Sequence, residues 1–79
     1  MLSDAKRRVV GIKQVQKQVE MGMVTMAYVA SDAQSRVVEP LINLCLQKGV
    51  SLDRQKSMKE LGTLFGIQVG AAAAAELRQ

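Results

Sequence analysis

The spacing of apolar residues changes several times along the chain. From Ile12 to Met21 they fall at Ile12, Val15 and Val19, which places them on one helical face with Lys13, Gln14 and Lys17 opposite. Gly22 ends that helix. The following run MVTMAYVA, from Met23 to Ala30, is almost continuously apolar and β-prone, as suits a strand covered on both sides. After a polar turn from Asp32 to Ser35, Val37, Val38, Leu41, Ile42, Leu44 and Cys45 form a broad amphipathic stripe that Gly49 stops. Pro40 is compatible only with a first turn, so this helix is expected to start near Val37 or slightly later. Val50 to Gln55, polar at Asp53, Arg54 and Gln55, suits an edge strand. Ser57 and Glu60 stand in capping-box register, each side chain able to take up the other's free amide. Met58, Leu61, Leu64 and Phe65 then face the core, with Gly66 as the stop. Near the N-terminus, Ser3 and Asp4 can cap a short helix over Ala5 to Arg8. Val9 and Val10 follow as a brief strand ending at Gly11.

The closing stretch GIQVGAAAAAELRQ is ambiguous on these grounds. Alanine is the best helix former, so propensity makes residues 71–75 a helix. Architecture makes them a strand, since a helix directly after another would bury little. A strand between covering layers can use alanine because helices pack close above and below it. The remaining elements alternate helix and strand, which predicts an α/β domain with helices on both faces of a mixed sheet. Neither an internal repeat nor a linker interrupts the 79 residues, which are expected to form a single domain, 1–79.

Composition narrows the chemistry. Hydrophobic residues make up 48% and charged residues 23%, a globular balance rather than a disordered one. Tyr28 and Phe65 are the only aromatic residues, so the core must be aliphatic. With no histidine and the single cysteine Cys45, a disulfide framework, a zinc site and a histidine-based triad are all poor fits, and no cofactor is expected. Cys45 lies on the apolar stripe, where a thiol is a buried structural group. No apolar run reaches membrane-span length, and MLSDAKRRVV lacks the apolar core of a signal peptide, which points to a cytoplasmic setting. The net charge of +4 resides entirely in residues 1–17, where Lys6, Arg7, Arg8, Lys13 and Lys17 face Asp4 alone. Such asymmetry suits an anionic partner, nucleic acid first and a membrane surface second, or else a merely solvated basic helix.

Three segments together carry a resemblance: VVGIKQVQKQVEMG, RVVEPLINLCLQKGV and SMKELGTLFGIQVGAAAAA. They resemble the kink-turn-binding family of archaeal ribosomal proteins and their small bacterial relatives. In that family a G-x-[NK]-[EQ]-x-x-K segment opens a helix and a GI-x-V-[AG]-A-A-A segment closes the domain. The resemblance implies a three-layer α/β/α sandwich with a small mixed four-stranded sheet, the alanine tract being its last strand. It also implies a non-enzymatic, ribosomal-protein-like module that recognises structured RNA with a kink-turn, ribosomal RNA among the candidates. Gly11 would let the backbone approach RNA at the helix start. Lys13 and Gln14 would meet the major-groove edges of tandem sheared G·A pairs, and Lys17 a phosphate. The loop of Ile67, Gln68, Val69 and Gly70 would cover the base extruded at the bend.

The sequence also departs from the family. Met21, Met23 and Met26 replace residues that are often basic, and Leu46 a common lysine. Ser31 to Ser35 replaces a more acidic, proline-containing turn, Asp53 to Gln55 interrupts a usually apolar strand, and Glu76 enters the last one. These changes read as a rewritten surface, whether by divergence or by engineering. They support an alternative in which Met21, Met23 and Leu46 form an adaptable apolar patch for a protein partner or self-association.

Overall fold

The computed structural model describes residues 7–67 and 70–78. Its elements are β1 (Arg8–Val10), α1 (Ile12–Glu20), β2 (Val24–Val29), α2 (Ser35–Lys48), β3 (Leu52–Asp53), α3 (Met58–Leu64) and β4 (Ala73–Leu77). The strands form one mixed sheet in the order β1-β4-β2-β3. The last strand thus lies inside it, antiparallel to both β1 and β2, while the two-residue β3 runs parallel to β2 at the edge.

Three layers follow from which side chains share a core. Val15 and Val19 of α1 and Val38, Leu41 and Cys45 of α2 pack with Ala27, Val29, Ala73, Ala75 and Leu77 on one face of the sheet. On the other face Leu61 of α3 joins Ala30 and Ala71, with Val10, Tyr28, Phe65 and Ile67 around them. Residues alternate between these faces along β2 and β4 as a pleated strand requires. Ala73, Ala74 and Ala75 have no solvent exposure at all. The residues after Gly70 thus follow the architecture and not their helix propensity, because both faces of the strand are covered.

Several local expectations change. Arg8 is paired strand opposite Glu76, not the end of a helix. The pairing continues outward, Leu77 N–H donating to the carbonyl of Arg7 at 2.8 Å, so the main chain there is committed to the sheet. Ser3, Asp4 and Ala5 lie outside the described residues. Helix α2 begins at Ser35, which puts Pro40 in its second turn. Pro40 supplies no amide to the carbonyl of Arg36, but both residues are exposed, so that carbonyl meets water. The alanine strand begins at Ala73, not Ala71, because Ala71 N–H donates to Met58 O and Ala72 O accepts from Ala30 N–H. It then continues through Glu76, which stays half-buried and accepts from Tyr28 Oη at 3.3 Å.

Leu64, expected to face the core, is instead 42% exposed, whereas Phe65 packs against the smaller core as expected. Helix α3 ends at Leu64, and the next residue turns its ring edge-on to Tyr28, with centroids 5.5 Å apart. The Arg8 guanidinium sits 5.2 Å from the Phe65 centroid and the Lys56 ammonium 5.6 Å from that of Tyr28. Both aromatic residues are therefore flanked by cations, an arrangement worth roughly 0.5–1 kcal/mol per pair at partly exposed sites. Lys56 is held by Asp53 at 3.1 Å. The Gln55 N–H first, and then Lys56, keep the Asp53 carboxyl below its ordinary range.

Because Ala75 has no free space on the α1–α2 side, Ala75→Leu should destabilise the protein by about 1–3 kcal/mol through overpacking. A lowered midpoint in urea with unchanged slope is the expected result. An unchanged midpoint would mean that β4 is not closely covered.

Candidate functional site

Gly11 joins β1 to α1 at φ 107°, ψ 146°, a conformation open in practice only to glycine. Its N–H donates to Ala73 O at 2.9 Å, which ties the start of α1 to the start of β4. A Cβ at Gly11 would meet nothing within 4 Å, so dihedral strain, and not crowding, sets the requirement. The first backbone bond of the helix runs from Val15 N–H to Gly11 O. The amides of Ile12, Lys13 and Gln14 thus have no helix acceptor; no side chain caps this end, and its first turn holds no acid. Such an end carries partial positive charge and suits an anion.

Lys13, Gln14 and Lys17 are all exposed, while Val15 and Val19 on the opposite face are buried. The sole ion pair among the described residues is Lys56–Asp53, so neither Lys13 nor Lys17 is neutralised within them. Arg8, part of the same basic block in the sequence, is instead drawn onto Phe65.

The second candidate segment lies at the same end of the sheet. Gly66 turns the chain out of α3 at φ 73°, and Ile67 N–H returns to Gly62 O at 2.9 Å. Ile67 is half-buried against the smaller core. Gln68 and Val69 lie outside the described residues. A Cβ at Gly70 would stand 3.1–3.2 Å from Met58 main-chain and Cβ atoms, so the glycine there serves close packing on the start of α3. Ala71 N–H donates to Met58 O at 3.1 Å.

That start is fixed twice. Ser57 and Glu60 form the expected reciprocal capping box. Asp32, from the turn after β2, accepts from Met58 N–H at 2.8 Å, a role the sequence did not disclose because the partner is 26 residues away. Between these parts is a cleft of about 370 Å³ lined by Asp32, Met58, Gly62, Thr63, Ile67 and Gly70, with Lys59 at its side.

Residues 1–79 match the profile of the "Ribosomal protein L7Ae/L30e/S12e/Gadd45 family". The chain belongs to this family. Among its relatives, "RNA-binding protein TTE2299" of Caldanaerobacter subterraneus subsp. tengcongensis is 44% identical over 71 residues, covering 90% of this chain and 87% of the relative. "RNA-binding protein YbxF" of Geobacillus stearothermophilus is 38% identical over 74 residues, covering 94% and 90%. The solved structure of the Giardia lamblia 15.5kD RNA binding protein matches with a TM-score of 0.84 and 26% identity over 91% of this chain. The chain spans 61% of that protein's length. A Bacillus halodurans protein of unknown function shares the fold, with a TM-score of 0.81 at 22% identity, over 90% of this chain and 71% of that one.

In this family member the remaining candidate residues separate. Met21 and Leu46 are 60% and 69% exposed, but Met23 is half-buried and packs on the larger core, as does none of the basic residues at the helix start. Cys45 is fully buried, and burial alone pushes its thiol pKa up, away from nucleophilic chemistry. Among the described residues no group of three histidine, cysteine or acidic side chains is placed to hold a metal, and no helix is long and apolar enough to cross a membrane.

Gly11→Ala should destabilise the protein by about 1–3 kcal/mol, since its backbone conformation is strained for any residue with a Cβ. Thermal and urea unfolding would measure this. A neutral result would mean that the junction relaxes to an ordinary helix start.

Proposed function

We propose that this protein is a non-enzymatic RNA-binding module that recognises a kink-turn, acting as one domain over residues 1–79 in the cytoplasm. The observation that carries the proposal is the uncapped start of α1, bearing exposed Lys13, Gln14 and Lys17 and hydrogen-bonded through Gly11 to the strand that follows the 67–70 loop. Membership of the L7Ae family and the printed names of its relatives support RNA as the ligand.

In this reading Lys13 and Gln14 enter the widened major groove at tandem sheared G·A pairs. Lysine donates to guanine O6 and N7, and the glutamine amide pairs with donor–acceptor edges. Lys17, one turn on, takes a phosphate, and the free amides of residues 12–14 take another. Ile67 and Gly70, with Gln68 and Val69, cover the base extruded at the bend. The adjoining cleft offers that base an apolar wall from Ile67 and Met58 and a polar rim from Asp32 and Thr63. Gly70 keeps the loop seated on α3, and Asp32 holds α3 in place beneath it. A kink-turn in ribosomal RNA is one ligand of this description.

A protein-interaction surface built on Met21, Met23 and Leu46 has less support, because Met23 is partly taken up by the core. Met21 and Leu46 remain as exposed apolar positions near the ends of α1 and α2.

Two substitutions separate the roles within the RNA site. Lys17→Ala should weaken binding to a kink-turn and to a control without G·A pairs alike, and lower the log–log salt slope by about 0.7–0.9, as loss of one phosphate contact requires. Gln14→Ala should lose roughly 1–3 kcal/mol on the kink-turn alone, narrowing the gap to the control. Gel shifts across a salt series measure both. Equal losses on both RNAs for both variants would refute the assignment.

A further inference from the structure

At the end of the sandwich away from Gly11, the C-terminal ends of α1 and α2 meet the start of β2 and the end of β4 around a second cleft of about 420 Å³. Lys48 and Arg78 line it together with Gly22, Gly49, Ser51 and Glu20. Arg78 is positioned by two bonds: its N–H donates to Met23 O at 2.7 Å and its Nε to Gly22 O at 2.8 Å. Its two terminal amino groups, the Lys48 ammonium and the Ser51 hydroxyl have no hydrogen-bond partner among the described residues.

Helix C-termini ordinarily repel anions, but here most of the last-turn carbonyls are engaged. Those of Lys17, Val19 and Gln18 accept from Met21, Gly22 and Met23, and those of Cys45 and Leu46 accept from Val50 and Gly49. Gly22 O is taken by Arg78 itself. What the cleft presents is two cations against one acid, Glu20, with the Ser51 hydroxyl also in its lining.

We propose that this cleft holds a backbone phosphate of the bound RNA, at a second contact about one length of α1 from the first. The inference rests on the RNA-binding reading above. Successive turns of α1 carry Lys13, Lys17 and Glu20, so one exposed face leads from the first site to the rim of the cleft. The helix spans roughly 13 Å, about the reach of two or three nucleotides of an RNA strand running beside it. The anchored Arg78 fork suits two phosphate oxygens at once, while Lys48 supplies a mobile third donor.

The test uses the full chain and two kink-turn RNAs, one with a stem long enough to pass the cleft and one truncated at the G·A pairs. Lys48→Ala with Arg78→Gln should weaken the long RNA roughly tenfold and lower its salt slope by about 1–2, while leaving the truncated RNA unchanged. Lys48→Ala alone, a surface change that does not touch the Arg78 anchor, should weaken the long RNA by about threefold. Glu20→Gln should tighten it. Titration of the free protein with inorganic phosphate should shift the Gly22, Gly49 and Ser51 amide resonances in the wild type and not in the double variant. Equal affinity and slope of wild type and double variant on the long RNA would overturn the proposal. Failure of the wild type to bind either RNA would overturn the underlying reading instead. A phosphate response without RNA binding would remove RNA as the source of the anion.

Discussion

Three consecutive alanines with no solvent exposure occupy the interior strand of the sheet, and the rest of the molecule is arranged around the close approach they permit. Strand β4 pairs with β1 on one side and β2 on the other while α1 and α2 pack on one of its faces. Larger side chains would push the helix layer outward. The Gly11–Ala73 hydrogen bond would then lengthen, and the start of α1 would no longer be held against the start of β4. The geometry of the candidate site is therefore a consequence of packing in the core.

Glycine and aspartate then set the site's details, each for a different reason. Gly11 is required by its dihedral angles and Gly70 by the nearness of Met58. Asp32 links the turn after β2 to the helix that supports the loop. An RNA ligand would thus meet a surface whose two halves are joined by main-chain bonds within the protein before it binds. Such preorganisation keeps the ordering cost of recognition low.

Local patterns read well from sequence where the signal was short-range. The spacing of Ile12, Val15 and Val19 gave α1, and Ser57 with Glu60 gave the capped start of α3, because both depend on residues within two turns. The alanine strand was different: its intrinsic preference pointed to helix, and the family resemblance was needed to choose the strand. Tertiary burial on both faces is what overrides that preference, and no local pattern encodes it. The late position of Pro40 has no local signature, because the cost of its absent amide depends on whether the orphaned carbonyl is solvated. Leu64, core-facing by the helical spacing, turns to the surface as the last residue of α3, while Phe65 just beyond it keeps its expected place against the smaller core. In the candidate site, Lys13, Gln14 and Lys17 were visible as one polar face, whereas the bond from Met58 to Asp32 crosses 26 residues and has no local signature.

The burial of Cys45 has a practical consequence. Its sulfur is sealed in the larger core between α2 and the sheet, and that burial raises the thiol pKa as long as the core stays closed. Thiol reagents therefore find no handle on the folded chain. Alkylation has to wait for the core to part, so the pace of thiol labelling becomes a clock for transient opening. With the only cysteine of the sequence so placed, the chain carries its own gauge of structural integrity, legible without any engineered probe.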